Sequence, residues 1–149
     1  MTPVLTEADL EPYAASGFAW RWRNPKYEVL PAGVLQSIRA VRRPKAEEYF
    51  QPSLTIDKWV RERPMREIET EAHEQKVVSD WLRACVPQAE MVIASWSQDE
   101  AVYLPWSVFA NYWSSFCYKS SDDVTVWPQD ERWGLSFTYR GAFYWRSLG

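Results

Sequence analysis

The chain has 149 residues, 46% of them hydrophobic, and its 17 Lys+Arg against 20 Asp+Glu leave a net charge of -3. That apolar content excludes a disordered chain, and a chain of this length buries about two-thirds of its unfolded surface, so it needs no metal or disulfide to hold together. No apolar run approaches the ~18 residues of a membrane-spanning helix, and the acidic start MTPVLTEADLEPY lacks the basic-then-apolar order of a signal peptide.

Taken in chain order, Thr6 and Asp9 fit a capping box before a short helix that Pro12 disturbs. In FAWRWR, residues 18–23, Trp20 and Trp22 alternate with Arg21 and Arg23, the period of a half-buried strand that Asn24-Pro25 ends. Leu30, Val34, Leu35, Ile38 and Val41 recur at helical spacing, and Pro44 stops that helix. A weaker helical piece covers Leu54 to Arg63, and the clearest helix is expected over Arg66 to Cys85, with Pro87 just beyond it.

The last third changes character. Met91–Trp96 and Ala101–Leu104 flank the polar turn Ser97-Gln98-Asp99-Glu100 and read as a hairpin. Pro105 opens a helix whose Trp106, Phe109, Ala110, Trp113 and Cys117 make one apolar stripe. Val124–Trp127 is a strand. Trp133, Leu135, Phe137 and Tyr139 alternate strictly with Gly134, Ser136, Thr138 and Arg140, and Phe143 and Trp145 return after the Arg140-Gly141 turn. The expected fold is therefore α+β in one domain, 1–149: N-terminal helices packed with a C-terminal antiparallel meander that contains one inserted helix.

Ten Trp, eight Tyr and six Phe supply large rings that serve a core or an interface. Trp113 and Trp133, each on a periodic apolar face, are expected in the core. Cys85 and Cys117 are expected to be buried thiols, in keeping with a reducing cytoplasm.

No HExxH, CxxC, GxGxxG, P-loop or GxSxG pattern occurs. The one histidine, His73, lies among Glu71 and Glu74 and reads as a solvated helix residue; Cys85, about 18 Å further along that helix, is too far to pair with it. Ser120-Ser121-Asp122-Asp123 could bring two carboxylates together, yet Ser and Asp at a turn bond their own backbone, which accounts for the run without catalysis. No catalytic residue, cofactor or metal ligand is expected. RWRNPKY mixes stacking rings with phosphate-pairing cations, the ingredients of a single-strand binder, but the pI near 5.3 opposes a nucleic-acid partner.

The charge is uneven. Residues 1–66 carry 11 Lys+Arg and 8 Asp+Glu, a balance of +3, whereas residues 67–149 carry 6 and 12, a balance of -6. On the expected helix the stripe of Val78, Leu82 and Cys85 continues backward through Glu74, Glu71 and Glu67. Either these acids favour the helix dipole or they face something basic. Glu67, Glu71, Glu74, Asp99, Glu100, Asp122 and Asp123 are accordingly the candidate partner-binding residues.

LPWSVFANYWSSFCYKSSDDVTVWP with the following W-x-L-x-F strand, residues 104–137, resembles a group of small bacterial proteins that look similar to the immunity proteins of toxin systems. FAWRWRNPKYEVLPAGVLQSIR carries a looser likeness. The resemblance implies a cytoplasmic, non-enzymatic protein that neutralises a cognate toxin by direct binding. It supplies no functional residues to carry over, and the basic first half departs from the strongly acidic immunity pattern. The alternative is a regulatory module for nucleic acid or another ligand; oligomeric state is left open.

Overall fold

A computed structural model describes residues 2–149 as a mixed helix-and-strand chain built on one antiparallel sheet. Its elements are β1 (Leu10–Pro12), α1 (Trp20–Arg23), α2 (Ala32–Ser37), β2 (Arg39–Val41), α3 (Arg43–Glu62), β3 (Arg66–Glu69), α4 (Gln75–Cys85), β4 (Met91–Ser97), β5 (Glu100–Pro105), α5 (Trp106–Asn111), β6 (Val124–Trp127), β7 (Trp133–Thr138) and β8 (Ala142–Ser147). The strands lie in the order β1-β2-β5-β4-β6-β7-β8-β3. The C-terminal half makes the centre, and the N-terminal half supplies both edges.

Helices cover both faces, so the central strands are buried twice over. Ile93, Ala101 and Trp127 point to the face covered by α3, where they meet Tyr49, Ile56 and Val60. Their alternates Val92, Ala94, Val102, Leu104, Val126, Leu135 and Phe137 point to the other face and meet residues of α1, α2, α4 and α5, among them Trp22, Leu35, Leu82 and Phe109. This is the period-two alternation of a strand put to use on both sides. Buried Trp rings find partners for their N–H groups: Trp22 donates to the Ser115 carbonyl at 3.0 Å and Trp106 to that of Val86 at 2.9 Å. Trp113 and Trp133 are buried as expected.

Several expectations change. Residues 18–23 do not form a strand; Trp20–Arg23 is a helical turn that sends Arg21 and Trp22 inward, because Arg21 has an acid to meet. The helix over Leu30–Val41 ends at Ser37, and Arg39–Val41 becomes β2 between β1 and β5, two ladders that local spacing does not reveal. Pro44 opens a helix instead of stopping one: it lies in the first turn of α3, where a missing N–H costs nothing, and α3 continues past Pro52 to Glu62. The helix expected from Arg66 begins only at Gln75. Arg66–Glu69 pairs with β8, Thr70–Ala72 is a 3-10 turn, and His73 is exposed beyond it.

The β4–β5 hairpin, the β7–β8 turn at Gly141, and the pairing of Phe143 and Trp145 with β7 are as expected. Cys117 lies on the apolar side with Trp106, Phe109, Ala110 and Trp113, but the helix expected to carry all five stops at Asn111; a 3-10 turn at Trp113–Ser115 follows and Cys117 lies beyond it. A bulge between Ser95 and Ser97 turns Trp96 aside, and its indole N–H donates to the Phe116 carbonyl at 3.1 Å.

Candidate functional site

The strand register gathers the candidate acids at one end of the sheet. The β4–β5 turn, the start of β6, the β7–β8 turn and the end of β3 all lie there, spread over about 24 Å by five strand spacings. Their roles differ. Asp99 is exposed and pairs with Arg43 at 3.3 Å. Glu100 accepts from the Ser16 hydroxyl at 3.0 Å and the Gly17 N–H at 2.7 Å, which pins the segment leading into α1. Glu71 pairs with Lys119. Glu67 is exposed on β3, and Glu74 is exposed at the N-terminal boundary of α4. The acidic continuation of the α4 stripe does not exist, because Glu67 and Glu71 belong to other elements.

Asp122 and Asp123 part ways. Ser120 adopts a left-handed conformation (φ 75), and the Asp122 N–H donates to the Tyr118 carbonyl at 3.0 Å. Asp123 stays exposed and accepts from the Tyr139 N–H at 2.9 Å. Asp122 turns inward, accepts the Tyr118 N–H at 2.7 Å and meets Arg21 Nη1 at 2.7 Å. The two carboxylates brace a turn and the interior; they do not converge on one ligand.

Arg21 is 4% exposed. Its guanidinium lies 4.4 Å from the Phe18 ring centroid and 4.1 Å from that of Tyr118. A buried cation with a facing carboxylate and two aromatic faces has its charge met from three directions. Above this pair Trp20, 46% exposed, packs edge-on to Tyr27 at 5.3 Å, and Tyr27 stacks on Tyr118 at 5.8 Å. Arg23 and Lys26 are exposed beside the rings, and Glu28 accepts from Ser115 at 3.3 Å. Burial raises the Tyr118 phenol above its ordinary value, with Arg21 opposing. The cluster joins the acidic end through the Ser120 N–H, which donates to the Tyr139 carbonyl at 2.7 Å, and Tyr139 is itself exposed.

The sequence pointed to RWRNPKY but not to the split within it. Trp20 and Tyr27 form the surface, whereas Arg21 is spent internally.

The other reactive groups are quiet. Burial pushes the Cys85 thiol up to about 11, partly offset by Arg66, and the Cys117 thiol well above its ordinary value. Among the described residues, no three His, Cys, Asp or Glu side chains are placed to hold a metal ion, and no helix is long and apolar enough to cross a membrane. Polar clefts lie on the α3 side. One of about 380 Å³ is lined by Arg61, Thr138, Tyr139, Arg140 and Tyr144; another of about 200 Å³ is lined by Glu67, Ile68, Glu69, Ala142 and Tyr144.

Comparison of the chain with known proteins finds no matching family model, curated protein or solved structure.

Proposed function

We propose that the chain is an immunity-type binding protein that neutralises a bacterial toxin by covering it, in the cytoplasm and without chemistry of its own. The reading is carried by one observation: the exposed rings of Trp20 and Tyr27 stand on a buried Arg21–Asp122 pair. Rigid Trp and Tyr side chains whose order is already fixed lose little entropy on binding, and such residues dominate interface energies. The exposed acids Asp99, Asp123, Glu71 and Glu74, gathered toward one end of the sheet, would steer a basic partner, an effect screened within ~8–10 Å by ordinary salt. Arg23 and Lys26 beside the rings support a second reading, a module for single-stranded nucleic acid.

The test uses the purified protein as bait in a lysate of its native host, with a Trp20→Ala/Tyr27→Ala variant in parallel, followed by protection of cells that express the captured toxin. Truncating two anchors is expected to weaken capture by about tenfold or more and to abolish protection. A variant that binds and protects like the wild type overturns the reading. Tight, salt-sensitive binding of a labelled single-stranded oligonucleotide by the wild type alone favours the second reading instead.

A further inference from the structure

The two edges of the sheet are unlike. β1 is three residues long, ends in Pro12 and offers little ladder to a newcomer. β3 pairs with β8 on one side only, and three of its four residues are exposed.

The Thr70 N–H donates to the Gly141 carbonyl at 2.8 Å, one step beyond the Glu69–Ala142 pair. Hydrogen bonding alternates along an antiparallel strand. Arg66 and Ile68 therefore share the phase of Thr70 and bond inward, and the main-chain N–H and C=O of Glu67 and Glu69 point out of the sheet.

The side chains divide with the same period. Ile68 leans on the core beneath α4, and Arg66 reaches the Cys85 sulfur at 3.8 Å on that face. Glu67 and Glu69 stand on the opposite face with Tyr144, along the cleft of about 200 Å³. Among the described residues neither glutamate is in an ion pair. Of the positive groups on this face, Arg61 and Arg140 line the neighbouring cleft beyond Tyr144, with Arg61 held by Asp57, and Arg146, two residues along β8 from Tyr144, donates to the Arg63 carbonyl at 2.9 Å and lies over the Trp59 ring.

We propose that the β3 edge captures an extended segment of a partner protein as a ninth strand, and that this segment alternates basic and apolar residues. Main-chain bonds to Glu67 and Glu69 would hold it, Lys or Arg would sit across from those two carboxylates, and an apolar side chain would lie across from Ile68. A second copy of this chain is a poor occupant. Directly opposed residues must share a face. A two-fold pairing of β3 with itself then sets Glu67 against Glu69 about Ile68, or one of the glutamates against its own copy, and like charges so placed repel.

The inference rests on the protein-binding reading above but uses the main chain and carboxylates of the β3 edge and not the Trp20–Tyr27 cluster that carries that reading, so the two fail separately. Trp20→Ala/Tyr27→Ala leaves the following experiment unchanged.

The probe is a fluorescent peptide of alternating Lys and Val, read by anisotropy against the same peptide with Glu in place of Lys. The intact protein is expected to bind the Lys peptide and not the Glu peptide. Glu67→Lys/Glu69→Lys is expected to reverse that preference. Glu67→Pro removes one outward N–H, which an edge strand tolerates, and is expected to weaken the Lys peptide by about tenfold. The circular dichroism spectrum of each variant reports whether it is folded, and the charge reversal stands as the test if the proline variant is not. Equal binding of both peptides by the wild type, no binding of either, an unreversed preference in Glu67→Lys/Glu69→Lys, or a folded Glu67→Pro that binds like the wild type would each overturn the proposal.

Discussion

Arg21 and Asp122 are 101 positions apart, yet each is the reason the other is tolerated inside. Asp122 also accepts the Tyr118 N–H, so one carboxylate fixes a guanidinium, a turn and the ring beneath Tyr27. Asp122→Ala strands a buried cation and an N–H, and is expected to cost about 3–5 kcal/mol in urea denaturation. Arg21→Met/Asp122→Asn removes both charges while the Asn oxygen still accepts from Tyr118, and a Met between Phe18 and Tyr118 keeps the sulfur–aromatic contact. That double variant is expected to be more stable than Asp122→Ala. If it is equally unstable, the stranded charge is not the cause. Nothing local announces the pair. FAWRWR alternates rings and arginines as a strand would, and only a carboxylate far along the chain decides that Arg21 turns in.

The legibility of each element follows from where its bonding partners lie. β7 is plain in the sequence because Trp133, Leu135 and Phe137 face one helical layer while Gly134 and Ser136 face the other. β2 and β3 are short and strongly charged or mixed in character, and they become strands because β5 and β8 have edges to fill. The acid-rich run from Arg66 has good helix formers, so its pairing with β8 is a tertiary choice. The gathering of acidic turns at one end follows from strand order and was equally invisible. β7 also meets α3 unusually closely. A Cβ on Gly134 would lie 2.6 Å from Ile56 Cγ2 and 2.9 Å from Val60 Cγ2. Gly134→Ala must push the helix off the sheet and is expected to cost about 1–3 kcal/mol, read as a lower urea midpoint. An unchanged midpoint would mean that α3 moves freely on this face.

At the scale of the whole molecule the two covered faces bury groups that ionise only in alkali. Burial raises the Cys85 thiol from 9.0 to about 11, and it raises the Cys117 thiol well above its ordinary value. Burial also raises the Tyr49 phenol on the α3 side above its ordinary 10.0. The unfolded chain then loses these protons first, thiols before phenols. Their contribution is fully present below pH 9 and is lost as pH rises toward 11 and beyond. The urea midpoint is expected to begin falling near pH 9 in the wild type, and only near pH 10 in Cys85→Ala/Cys117→Ala, where the tyrosines take over. The same onset in both proteins would mean that the thiols do not govern the alkaline limb.

The strand order also has a consequence for synthesis. β1, β2 and β3 precede every strand they pair with, apart from each other, so about 90 residues leave the ribosome before the centre of the sheet begins to form. At ~5–20 residues per second the stretch from Met91 to Ser147, which holds the central strands, takes about 3–12 s. For that interval α3 shows its apolar face to a crowded cell, with the sheet it will cover still inside the ribosome.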